Sequence, residues 1–195
     1  MIGYSLPTSI EIGGKEYPIT QKGHFEMVLD CFSLLNDEDI PKAYRIYDCL
    51  KIFYEDINED SDVRSVFGDN VEEAITKMFS FFNCNQLEIG SNVNIQLIDW
   101  EQDAQLVCAA VNNVAQTEIR SEPFLHWFTF MGYYTSVGES VLSTVVGIRN
   151  KKARGKKMEQ HEKEFLMNNP QYFTTKKQIE QDKADKEWLD SVWQK

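Results

Sequence analysis

Residues Asp99–Arg149 read DWEQDAQLVCAAVNNVAQTEIRSEPFLHWFTFMGYYTSVGESVLSTVVGIR, and the fold turns on this stretch. It carries the densest apolar and aromatic material of the chain. Three carboxylates (Asp99, Glu101, Asp103) stand at its start, a His126-Trp127 pair in its middle, and a switch to basic residues at its exit. Asp99 and Gln102 have the spacing of a capping-box variant, and Ala104, Val107, Cys108, Val111 and Val114 then share one helical face. Ser121-Glu122-Pro123 predicts another helix start, with a cap, an acid and a proline in the first turn. Leu125, Phe128 and Met131 line one face of that helix and Trp127, Phe130 and Tyr134 a second, which predicts the most buried element. Gly138 is expected to end it, and Val141–Val146 predicts a short apolar helix before Gly147.

Carboxylates followed by a histidine invite a catalytic or metal-binding reading. On a helix starting at Asp99, however, Asp99 and Glu101 point to different sides, and Asp103 comes four residues later at the exposed start. Acids so placed cap a helix, complement its dipole, or form a structural ion pair with Arg120 or Arg149. A histidine within an aromatic run reads as a hydrogen-bonded core residue. Asp99, Trp100, His126 and Trp127 are therefore assigned structural roles. With no nucleophile motif, phosphate loop or paired metal motif, no enzymatic activity, cofactor or metal is expected.

Toward the N-terminus, Ile10-Glu11-Ile12, Gly13-Gly14 and Tyr17-Pro18-Ile19 form a hairpin pattern, with Pro18 at an edge. Phe25, Val28, Leu29, Phe32 and Leu35 then recur at helical spacing up to Asn36. Asp39-Ile40-Pro41 predicts a second helix start, followed by Ala43, Ile46, Tyr47, Leu50, Phe53 and Tyr54. The acidic run EDINEDSD at Glu55–Asp62 lacks the central glycine and terminal glutamate of a calcium loop, so it reads as a solvated linker. Asp69 and Glu72 suggest a capping box ahead of a stripe of Val71, Ala74, Ile75, Met78, Phe79 and Phe82.

Beyond the stretch, Arg149–Lys157 places six cations in nine residues with no acid. Met158, His161, Glu162, Phe165 and Leu166 predict a helix stopped before Pro170. A sparse last helix from about Thr175 gathers Trp188, Leu189, Val192 and Trp193 at its end, as a docking tail would. The chain's charge of -11 is uneven: residues 1–148 carry 8 Lys and Arg against 23 Asp and Glu, and residues 149–195 carry 12 against 8. An acidic body with a basic tail does not suit a general DNA binder, because phosphates would be repelled from most of its surface. The basic run suits a solvated helix face, a flexible connector, or a dock for an acidic protein surface such as a neighbour's acidic N-terminal part. Arg149, Lys151, Lys152, Arg154, Lys156, Lys157, Trp188 and Trp193 are the candidate partner-binding residues. Four dispersed cysteines in apolar runs, no signal pattern and no bilayer-length apolar run predict reduced thiols in a soluble intracellular protein, away from membranes.

Three blocks, in this order, carry a family likeness. They are Tyr4–Pro7 with Ile10–Thr20; Asp99–Ala104 followed by Leu125-His126-Trp127-Phe128; and Gly147-Ile148-Arg149 with the lysine-rich run over 151–157. The chain resembles the phage Gp-fifteen family, which is similar to tail-assembly chaperones of siphophages. Gln21–Phe25 replaces a frequent Asp-Phe-Arg type sequence, and Trp127-Phe128 replaces two tryptophans. The resemblance implies a non-catalytic morphogenesis factor that binds tape-measure protein and helps recruit tail-tube subunits. It would act in the host cytoplasm and be absent from the mature virion. By analogy, residues 1–85 would bind tape measure or self-associate, and residues 99–195 would contact tube protein. A virion-retained adaptor, or a nucleic-acid-binding phage regulator using the basic run, are the alternatives.

The expected architecture is mainly α, a helical protein with a small N-terminal β-hairpin and an extended basic C-terminal helical tail. Its parts are 1–85, hairpin plus helices; 86–98, a hinge; 99–148, a central helical core; and 149–195, the basic tail.

Overall fold

The computed structural model describes residues 5–57, 62–86 and 97–174. Two compact units divide the chain, one of Met1–Asn92 with Cys108–Val137, the other of Val93–Val107 with Gly138–Lys195. The described residues are mainly helical, with one two-stranded antiparallel sheet near the N-terminus. None of their helices is long and apolar enough to cross a membrane. The predicted last helix, with Trp188 and Trp193, and most of the predicted hinge lie outside the described residues.

In the first unit, β1 (Ser9–Ile12) and β2 (Lys15–Pro18) pair through a Gly13-Gly14 turn, with Ile10 opposite Tyr17. The pleat sends Ile12 and Tyr17 inward, and the Tyr17 hydroxyl donates to Val66 O at 3.2 Å. Next come α1 (Phe25–Asn36), α2 (Lys42–Phe53), a one-turn α3 (Val63–Phe67) and α4 (Val71–Phe82). The unit continues with the C-terminal part of α5 (Ala104–Ala115) and ends with α6 (Trp127–Thr135). On α1 the fully buried positions are Phe25, Met27, Val28 and Cys31, while Leu29, Phe32 and Leu35 stay half-exposed. The buried face is thus turned from the expected stripe.

Aromatic rings make up much of the core. Phe25 stacks on Phe130 at 4.9 Å between centroids, and Trp127 stacks on Phe130 at 5.4 Å. Phe53 meets Tyr54, Phe81 and Phe82 edge-on. Such pairs add about 0.5–1.5 kcal/mol each beyond the area they bury. The polar ends of these rings are satisfied: Tyr54 OH donates to Ala74 O at 2.9 Å, and Trp127 Nε1 to Phe82 O at 2.9 Å.

Several predicted starts move. Pro41 occupies the N-cap of α2 rather than its first turn. Asp69 and Glu72 form no capping box, because Asp69 lies in a 3-10 turn (Gly68–Asn70) and Asn70 precedes α4 without a side-chain cap. Burial of Val63 and Phe67 on α3 sets where the chain turns, and Asp62, from the predicted linker, caps α3 by accepting from Arg64 N at 3.1 Å. Ser121-Glu122-Pro123 likewise starts no helix. Ser121 closes a 3-10 turn (Ile119–Ser121), and His126 pairs with His24 as an isolated antiparallel bridge. That pairing holds His126 extended as the N-cap, so α6 begins at Trp127, five residues later than expected. Only Trp127 and Phe130 of α6 are fully buried, against Ala74, Met78, Phe81 and Phe82 of α4, so α6 is not the most buried element.

The second unit contains the start of α5, α7 (Val141–Ala153), α8 (Gln160–Asn168) and a closing 3-10 turn (Pro170–Tyr172). Helix α7 does not stop at Gly147. It runs through the predicted core-to-tail boundary, because burial of Leu142, Val145 and Ile148 outweighs the roughly 1 kcal/mol that an internal glycine costs relative to alanine.

Candidate partner-binding site

Helix α7 presents the basic run, and its placement starts from Ser140. Ser140 and Ser143 form a reciprocal capping box, with Ser143 N donating to Ser140 Oγ at 3.1 Å and Ser140 N to Ser143 Oγ at 2.9 Å. Leu142, Val145 and Ile148 then bury at three-residue intervals. One residue further on, Arg149 turns inward.

A guanidinium has five N–H donors in a planar fork, and here five bonds use them. Nη1 and Nη2 reach Asp103 Oδ2 and Oδ1 at 2.5 and 2.9 Å, Nη1 also donates to Leu97 O at 2.9 Å, and Nε and Nη2 donate to Tyr172 O at 3.1 and 2.5 Å. Arg149 thereby ties α7 to the approach and start of α5 and to the 3-10 turn after α8. Asp103 is 1% exposed, where an exposed helix start was expected. It also accepts from Asp99 N at 2.9 Å, while Asp99 Oδ1 accepts from Glu101 N and Gln102 N at 3.0 and 2.9 Å. The acids of Asp99–Asp103 therefore organise a turn and an ion pair. Of the two cations considered for that pair, Arg149 forms it, and Arg120 binds Glu118 instead at 2.7 Å.

Lys151 is also engaged. Its Nζ lies 2.7 Å from Glu162 on α8, whose carboxylate accepts from Glu159 N as well. The lysine bond, followed by the backbone donor, holds the Glu162 carboxyl below its ordinary range.

The remaining cations of the run, Lys152, Arg154, Lys156 and Lys157, are exposed and form no ion pair among the described residues. Their layout follows from how α7 ends. Lys156 N donates to Lys151 O at 2.8 Å and Gly155 N to Lys152 O at 3.2 Å, the two bonds of a Schellman motif with Gly155 at φ +62°. Glycine is the residue type that such a stop favours, because its φ is positive. The chain reverses there, so the four cations cluster around the negative end of the helix dipole. Cations are favoured at such an end on electrostatic grounds alone, and what remains exposed is a compact positive hook.

The structural assignments fall elsewhere. Trp100 is half-buried and Trp127 buried. His126, 2% exposed, is the N-cap of α6: Nδ1 accepts from Phe128 N at 3.0 Å, which makes Nε2 the donor toward Pro7 O at 3.0 Å. Gly23 allows this approach, since a Cβ there would come within 2.9 Å of both His126 Nε2 and Phe81. Burial pushes the His126 pKa down, opposed by the bond to Pro7. His24 caps α1 in the same way through Nδ1, accepting from Glu26 N at 3.2 Å. Sequence reading passed over this second cap, although both histidines precede an aromatic residue. Among the described residues, no group of three or more His, Cys, Asp or Glu side chains is arranged to hold a metal ion.

Comparison with known proteins adds the family. No curated protein and no solved structure matches the chain. The family model described as Bacteriophage Gp15 protein matches residues 3–174, spanning the hairpin, the histidine caps, the arginine clamp and the cationic hook. The chain belongs to the bacteriophage Gp15 protein family.

Proposed function

We propose that this protein is a phage tail-assembly chaperone, non-catalytic, which binds the tape-measure protein and helps recruit tail-tube subunits while the virion is being built. The observation that carries the reading is the family match over residues 3–174, joined to the resemblance of that family to tail-assembly chaperones. The surface supports a protein-binding role. Leu6, Tyr44, Phe124, Val141 and Met167 are large apolar side chains left exposed, on both units, and each is available to pack against a partner helix. The chaperone works in the host cytoplasm and leaves before the particle is complete.

Two phage experiments test this. Disrupting the reading frame should give lysates with filled heads and no tails, and mass spectrometry of purified particles should lack the protein. Normal tails after disruption would sink the proposal. Stoichiometric protein in washed virions would favour a retained adaptor.

The cationic hook supports a second reading, a nucleic-acid-binding regulator. Salt-dependent binding to DNA or RNA, lost when Lys152, Arg154, Lys156 and Lys157 are neutralised, would favour it.

A further inference from the structure

We propose that the cationic hook after α7 docks on the acidic outer face of α1 in a second copy of this chain. The inference goes beyond the chaperone reading and stands without it, since it rests on the charges of this chain alone.

The two surfaces belong to different units. The unit of Met1–Asn92 with Cys108–Val137 holds 8 Lys and Arg against 19 Asp and Glu, a net of -11, so it carries the whole charge of the protein. The other unit balances 12 against 12. Within that balanced unit Asp103 and Glu162 are taken up by Arg149 and Lys151, which leaves Lys152, Arg154, Lys156 and Lys157 without an ion pair among the described residues.

On α1, Glu26 and Asp30 stand four residues apart on one exposed face, and Asp37, the exposed C-cap residue just past Asn36, adds a third carboxylate at the end of the helix. The helix has no lysine or arginine of its own, and no ion pair to these three is formed among the described residues. Partial burial, and to a lesser degree the Glu26 charge, raise the Asp30 carboxyl above its ordinary value. A carboxylate in that position gains from any cation brought near it.

A hook on one copy and a stripe on the next either pair reciprocally about a two-fold axis, closing a dimer, or repeat head to tail as a ring or an open chain. Exposed ion pairs are individually weak and screened by salt, so the association is concentration-dependent and favoured at low ionic strength.

Sedimentation velocity of the full chain reads this directly. Species larger than monomer should form at about 0.02 M salt and dissolve at about 0.5 M, where the Debye length is only a few ångström. Reversing the hook (K152E, R154E, K156E, K157E) should abolish association, as should reversing the stripe (E26K, D30K, D37K). Mixing the two reversed proteins should restore it, because each then offers the complement of the other. Should a reversed protein fail to fold, the matching alanine variant reads the same contact and should weaken association by at least about threefold. The proposal is overturned if the unmodified chain stays monomeric at low salt, as it would were hook and stripe paired within one copy. It is equally overturned if either reversal or its alanine variant leaves association unchanged, or if the folded reversed pair remains monomeric when mixed.

Discussion

At Arg149 the decisive quantity is the balance between desolvation and pairing. Asp103 sits at 1% exposure, so its charge is tolerable only because a bidentate guanidinium and a backbone N–H meet it. Removing one partner of such a pair costs about 3–5 kcal/mol, because the other is left buried and unpaired. Arg149→Met should therefore lower urea-unfolding stability of the second unit by about that much, and Asp103→Ala added to it should recover part of the loss. Arg149→Lys should not rescue, since three ammonium donors cannot reproduce five bonds in a plane. His126 behaves oppositely with respect to charge. Its folded-state pKa lies below the ordinary 6.5, so protons bind the unfolded chain first. Its contribution is intact above pH 6.5 and is lost as pH falls from there toward the folded pKa. Protonated Nδ1 can no longer accept from Phe128 N. Thermal melts over pH 5–8 should show wild type losing stability below about pH 6.5 more steeply than His126→Asn, which keeps a capping acceptor without titrating. Identical pH profiles for the two proteins would count against this account.

At the scale of elements, local signals were readable where the chain obeys them and silent where tertiary pairing overrides them. The hairpin and the extent of α1 follow directly from alternation, helical spacing and the glycine pair, while α2 is shifted only at its ends, with Pro41 and Tyr54 as its caps. The starts of α4 and α6 do not. Asp69 is taken into the 3-10 turn that follows α3 just before α4, and the long-range pairing of His126 with His24 shifts the start of α6. Gly147 within α7 and Gly155 just beyond its C-cap separate these influences experimentally. Gly147 lies in open helix, where an added methyl group would meet nothing within 4 Å, so Gly147→Ala should raise stability by up to about 1 kcal/mol. Gly155 also has open space, but its φ of +62° disfavours any L side chain, and Gly155→Ala should lower stability by about 1 kcal/mol. Opposite signs in chemical denaturation would confirm that α7 ends at the Schellman motif and not at Gly147.

For the whole molecule, charge asymmetry was plain in the sequence, but the use of each charge was not. Six cations over Arg149–Lys157 read as one basic run; the fold turns Arg149 inward, pairs Lys151 with Glu162 and leaves four outside. Spacing cannot distinguish these fates, because the carbonyls of Leu97 and Tyr172 that receive Arg149 lie 52 and 23 residues away. Asp99 and Asp103 have bonding partners within the fold, yet Asp103 was expected at the surface and is buried. Family membership sets the phage context, and the exposed apolar and cationic groups suit a protein that holds other proteins. Co-expression with the tape-measure reading frame of the same phage tests that claim most directly. The account predicts that tape-measure protein stays soluble and co-purifies with this chain. Tape-measure protein that pellets equally with and without the folded chain, and is not retained by it, would contradict it.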